Sequence, residues 1–86
     1  AMNEKEIGYV SKFFGRISVA AIEITSLEIN VGDTIRIKGH TTDQKMEVKS
    51  IQIEHKNVET AKKGDSIGIE VTEKARRKDK VYRIVN

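Results

Sequence analysis

An all-β protein, six short strands wrapped into a closed barrel, is the fold that this sequence predicts. Three observations carry the prediction. The segments Asn30-Val31-Gly32-Asp33-Thr34-Ile35-Arg36-Ile37 and Lys63-Gly64-Asp65-Ser66-Ile67-Gly68-Ile69-Glu70-Val71 are built alike, with Gly-Asp ahead of alternating apolar residues. Glycine takes the positive φ of a tight turn, aspartate bonds its own backbone just beyond it, and period-2 apolarity marks a strand buried on one face. The chain has no proline and no apolar stripe that would make a helix of ordinary length. Finally, 86 residues bury only about 60–65% of their extended surface, and closure removes the exposed strand edges of such a small β protein.

Element by element, Glu6 to Lys12 reads as the first strand, with Ile7, Tyr9 and Val10 as its apolar positions. Phe13-Phe14-Gly15 interrupts it, and adjacent aromatics in a strand point to opposite faces. Ile17, Val19, Ile22 and Ile24 make a second strand whose parity changes at Ala20-Ala21, which predicts a β-bulge there. Thr34 to Lys38 alternates with Ile35 and Ile37 inward, and Gly39 to Asp43 is a hairpin loop. Met46, Val48, Ile51 and Ile53 make a longer strand with a second parity change at Lys49-Ser50, and Val58 to Lys63 is expected to hold one helical turn. Ile67 to Val71 and Val81 to Val85 complete the set. Residues 1–5 read as an N-terminal tail, Ala1 ahead of Met2 being a cloning remnant, and residues 6–86 as one β-barrel domain.

Composition narrows the functional classes. There is no cysteine, hence no disulfide framework and no thiolate metal site, which suits a reducing cytoplasm. No segment reaches the ~18 consecutive apolar residues of a membrane span, so cytoplasmic location is the expectation. The net charge of +3 is uneven. Residues 1–73 hold ten Lys/Arg against twelve Asp/Glu, whereas residues 74–86 hold six basic residues against Asp79 alone. Such a basic segment recruits phosphate backbones by counterion release, or simply solvates a loop.

The residues of catalysis are not grouped. His40 and His55 are fifteen positions apart, and His40 with Asp43 offers two metal ligands, which is not a site. Gly64-Asp65-Ser66-Ile67-Gly68 lacks the lysine and following helix that cradle a nucleotide phosphate. The expectation is a protein that is not an enzyme and takes no cofactor.

The ordered string Gly15-Arg16, Ser18-Val19-Ala20, Val31 to Ile37, Val48, Ser50-Ile51, Lys56 and Gly64 to Ile69 resembles the second domain of translational GTPases of the elongation factor Tu type. The resemblance covers about Gly8 to Val85 and implies a closed six-stranded Greek-key barrel that contacts the end of transfer RNA and the small ribosomal subunit. No GTP-binding domain accompanies it. Two glycines of the family's early strands are replaced by Ile17 and Ile22, and Gln52 falls where elongation factor Tu has a glutamate beside the terminal adenosine. The chain is similar also to the small barrel attached to collagenase-like peptidases, where it would serve as an accessory piece.

Two functional expectations follow. The first is a translation-factor-like module binding RNA or the ribosome through Arg76, Arg77, Lys78 and Lys80, aided by Arg16 and Gln52. The alternative is a protein-docking module, for instance for a peptidase-like partner, using Tyr9, Phe13 and Phe14 as an exposed apolar patch.

Overall fold

The computed structural model describes residues 3–85; Ala1 and Met2, with the expected cloning remnant, lie outside the described residues. Ten strands follow one another: β1 (Asn3–Phe14), β2 (Val19–Ile24), β3 (Glu28–Asn30), β4 (Thr34–Lys38), β5 (Asp43–Glu47), β6 (Ile51–Ile53), β7 (Lys56–Val58), β8 (Thr60–Lys62), β9 (Ser66–Glu70) and β10 (Lys80–Val85). Eight form one antiparallel sheet in the order β5-β4-β10-β1-β2-β9-β6-β7, while β3 and β8 pair apart from it. The all-β expectation holds, but the sheet is not closed into a barrel: it ends at β5 on one side and β7 on the other. Ten strands, four of them only three residues long, replace the six expected.

The long strand β1 organises the sheet, pairing β10 along one side and β2 along the other. It starts at Asn3, so three residues of the expected tail are strand, in register Asn3↔Val85, Glu4↔Ile84 and Lys5↔Arg83. Its register with β2 shifts between Val10 and Lys12. The extra residue, Ser11, donates its hydroxyl to the Ala21 carbonyl at 3.2 Å. This bulge keeps Val10 and Phe13 toward the core while Lys12 and Phe14 face outward. The bulge expected at Ala20-Ala21 is therefore on the neighbouring strand. Strand β2 alternates without interruption, burying Ala20, Ile22 and Ile24, and Val19 points out.

The interior is isoleucine-rich. Ile7, Ile22, Ile29, Ile35, Ile37, Ile51 and Ile69 are all fully buried, with Val10, Val48 and Val81 between them. β-branched side chains suit this setting because they are already stiff on a pleated surface. Val58 to Lys63 holds no helical turn. Val58 ends β7 and Ala61 centres β8, where it pairs with Ile29 of β3 across the end of the core. Likewise the long strand expected from Met46 to Ile53 is two strands, β5 and β6, because the chain crosses at Val48, whose amide donates to the Asp33 carbonyl.

Three turns share one construction. In Asn30–Asp33, Lys62–Asp65 and Arg76–Asp79 the aspartate amide donates to the first residue's carbonyl at 2.9–3.0 Å. Its carboxylate accepts from that residue's amide at 2.8–2.9 Å. The third residue has positive φ, 97° at Gly32 and Gly64 and 78° at Lys78, and the second does not, the pattern of a type II turn. Each turn launches a strand: β4, β9 and β10.

Candidate functional site: an apolar trough on the outer sheet face

On β1, β2, β9 and β6, the face turned away from the core carries Phe14, Val19, Ala21, Gly68 and Gln52. An outward sheet face is ordinarily polar. Here the register brings small residues into one row, with Lys12 opposite Ala21, Ala21 opposite Gly68 and Gly68 opposite Gln52. A trough of about 380 Å³ opens over Ala21 and Gly68. One wall is Phe14 with Ile17; the other is Gln52 with the tip of the β6–β7 hairpin, Glu54 and His55. It continues over Val19 and Gly68 into a smaller recess of about 130 Å³ bordered by Ser50 and Glu70.

Local sequence explains each wall. After Phe14 the chain turns back at once, the Ile17 amide reaching the Phe14 carbonyl at 3.3 Å, and Ser18 takes a φ of 55°. That turn leaves Ile17 61% exposed beside Phe14 at 40%. Lys12 lies over the Phe14 ring, its Nζ 4.9 Å from the centroid, a cation–π contact that steadies the ring at the trough's wall. Across the trough, Ile53-Glu54-His55-Lys56 is a two-residue hairpin loop in which both central residues have positive φ, 50° and 66°. A loop of this kind favours Asn-Gly; Glu54 and His55 hold it at a cost in backbone strain.

Gly68 forms the floor. Its φ is not in the left-handed region, and a Cβ there would meet only Val19 Cγ1, at an ordinary 3.6 Å. The backbone therefore does not demand glycine, although glycine inside a strand is unfavourable by roughly 0.5–1 kcal/mol relative to alanine. The missing side chain keeps the trough open.

The residues expected to touch RNA are not all brought together. Arg76, Arg77 and Lys78 are exposed in the turn before β10, and Lys80 begins that strand, its Nζ 3.8 Å from Glu6 Oε1. Gln52 is on β6, with β1, β2 and β9 between it and β10, and its Nε2 donates to Asn57 Oδ1 at 3.2 Å. Arg16 sits exposed in the turn beside Ile17. Of the docking candidates, Tyr9 and Phe14 are exposed, whereas Phe13 packs against the core. The trough residues that sequence reasoning missed are Ile17, Val19, Ala21, Glu54, His55, Gly68 and Glu70. Their signal was the parity conflict in the second segment: Ile17 and Val19 belong to one face, Ile22 and Ile24 to the other.

Several charged and polar side chains away from the trough serve the fold. Arg36 Nη1 meets Glu4 at 2.9 Å, while Nε and Nη2 grip both oxygens of Asp43 at 2.7 Å. Those hydrogen bonds raise the Arg36 guanidinium above its ordinary pKa and hold the Asp43 carboxyl below its own. Arg83 Nε stands 3.4 Å from Asp33. Buried Gln44 accepts from the Glu73 amide and Thr72 hydroxyl and donates to the Glu73 and Lys74 carbonyls at 3.0–3.3 Å, pinning the strand-to-turn segment before β10. Among the described residues no group of three or more His, Asp or Glu could hold a metal ion.

No protein-family model matches the chain. It is 47% identical over 78 residues to a Methanocaldococcus jannaschii protein named as an uncharacterized protease. It is 45% identical over 78 residues to a Porphyromonas gingivalis protein named collagenase. In both cases 90% of this chain is aligned, yet it spans only about a fifth of the relative, 19% and 22%. Among solved structures, the C-terminal domain of a Geobacillus thermoleovorans protein described as a U32 peptidase superposes with a TM-score of 0.85 at 12% identity, covering 92% of this chain and 91% of that one. Its selenomethionine variant gives 0.76 at 14% identity, covering 92% and 98%.

These findings correct the translation-factor expectation and with it RNA or ribosome binding: the relatives are peptidase-type proteins, and the similarity to collagenase-like peptidases was the sound one. The Gly-Asp units misled because an aspartate-closed type II turn is a general way to enter a strand; this fold uses it three times. The expectation of a protein that is not an enzyme is corrected too, since its relatives are named protease and collagenase. The chain thus has the fold of a U32 peptidase C-terminal domain and is similar in sequence to one segment of longer proteins named protease and collagenase.

Proposed function

We propose that this chain is the β domain of a U32-type peptidase and that its task there is to contact polypeptide. The observation that carries the reading is the 45–47% identity along nine tenths of the chain to proteins named collagenase and protease. The trough supports it, since a concave, mostly apolar surface with a few polar groups at its ends is the usual form of a binding site. Exposed Phe14 and Ile17 at its wall are the side chains such a contact would cover.

The test is a graft. The matching 78-residue segment of the P. gingivalis collagenase is deleted, or replaced by this chain, and degradation of soluble collagen is measured. Deletion is expected to lower activity at least tenfold and the replacement to restore it. Full activity after deletion, or a folded graft that restores nothing, overturns the reading.

A further inference from the structure

We propose that the trough is a subsite for an extended segment of a polypeptide substrate, one carrying a large apolar side chain flanked by lysine or arginine. The proposal rests on the reading of the chain as a peptidase domain and goes beyond it by naming the surface and the sequence it selects.

Shape gives the apolar part. At about 380 Å³ the trough falls at the small end of the roughly 300–1,000 Å³ usual for ligand clefts, a fit for a side chain and the backbone that bears it. A docking face for the remainder of a large protein would be broad, as interdomain contacts of roughly 600–1,500 Å² are. The floor is made by an absence, the side chain of Gly68, where the backbone would accept a larger residue. The strained hairpin tip at Glu54-His55 stands over that floor, and departures of this kind from local preference are usual where a surface binds.

Charge gives the basic part. The chain is positive overall, yet no lysine or arginine lines the trough or its recess, while Glu54 lines one and Glu70 the other. Among the described residues neither carboxylate has an ion pair or hydrogen bond. Lys12, opposite Ala21 in the same cross-strand row, is held over the Phe14 ring. Two unpartnered carboxylates on an apolar trough attract a cationic segment and disfavour an acidic one. Side chains on one face of an extended peptide repeat every ~6.8 Å, so an apolar residue over Gly68 places its neighbours within reach of the two ends.

The experiment titrates the isotope-labelled chain with the blocked peptide AKLFLKA, followed by amide chemical shifts, with AELFLEA and AKSSSKA as controls. The expected result is saturable shifts at Ala21, Gln52 and Gly68, with both controls at least fivefold weaker. Gly68→Val fills the floor and is expected to weaken binding at least tenfold; Gly68→Ala gives an intermediate loss and guards against a folding defect, which the same spectra report. Glu70→Gln reduces affinity for AKLFLKA severalfold at low salt and does not weaken AELFLEA, which has no lysine for Glu70 to attract. No shifts at millimolar peptide, shifts confined elsewhere, or unchanged binding by folded Gly68→Val overturns the proposal. So does a trough that binds only the remainder of the collagenase and none of the peptides. A Gly68→Val graft as active as the wild-type graft sinks the subsite and leaves the domain reading standing; peptide binding beside an inactive graft does the reverse.

Discussion

Lys78 occupies the one aspartate-closed turn in which the positive-φ position is not glycine. A left-handed backbone costs an L residue on the order of 1–2 kcal/mol, partly offset by the greater chain entropy that glycine loses on folding. Lys78→Gly is therefore expected to stabilise the protein by up to about 1 kcal/mol, read as a higher urea midpoint at unchanged slope. The same reasoning explains why this turn was illegible: Arg76-Arg77-Lys78-Asp79 looks like a basic patch, and only the hydrogen bonds expose its kinship with the two Gly-Asp turns. At Asp43 the guanidinium of Arg36 holds the carboxyl below its ordinary value of 3.8. A carboxyl depressed in the folded state contributes stability above its unfolded pKa and loses it as pH falls through the folded one. The stability deficit of Asp43→Asn is thus expected to be constant near neutrality and to shrink below about pH 4. A deficit unchanged down to pH 2 would assign the effect to packing instead.

Elements with a full period were the legible ones. Thr34 to Lys38 is strand β4 with Ile35 and Ile37 buried, as its alternation requires. The three-residue strands β3, β7 and β8 are too short to display a period, and Val58 with Ala61, three apart, imitates a helical stripe. The second segment misled for another reason, because apolar residues line both faces of the chain there, one face being core and the other trough. The β6–β7 hairpin combines these themes. Replacing Glu54 by Asn and His55 by Gly supplies the residues its turn type favours, and thermal unfolding should shift upward by the equivalent of about 1–2 kcal/mol. Peptide affinity should fall with the loss of Glu54, so that stability and binding move in opposite directions. Gln44 links two other elements, β5 and the segment before β10. Gln44→Ala removes the part-buried hydrogen bonds that hold Glu73 and Lys74, for a loss of about 1–2 kcal/mol, and amide exchange at residues 72–75 should accelerate most.

Seen whole, the molecule is held by a single isoleucine-rich interior under one sheet that curls without closing. Truncating a central member, Ile22→Ala, is expected to cost about 2–5 kcal/mol, measurable by urea unfolding. The open ends of the sheet are protected differently from a barrel's. Outward Asp43, Lys45 and Glu47 put charge along β5, a usual guard against edge pairing. At the centre, the register Asn3↔Val85 sets the first and last described residues directly across from one another, roughly 5 Å apart as antiparallel partners are. The strands holding residues 3 and 85 are direct neighbours, so a link between these two residues leaves the packing undisturbed. Bridging residues 85 and 3 with two or three glycines and reopening the chain between exposed His40 and Thr41 should give a circular permutant with the same core. By the same geometry, the fold needs one point of attachment and fits into a loop of a host protein as readily as onto its end.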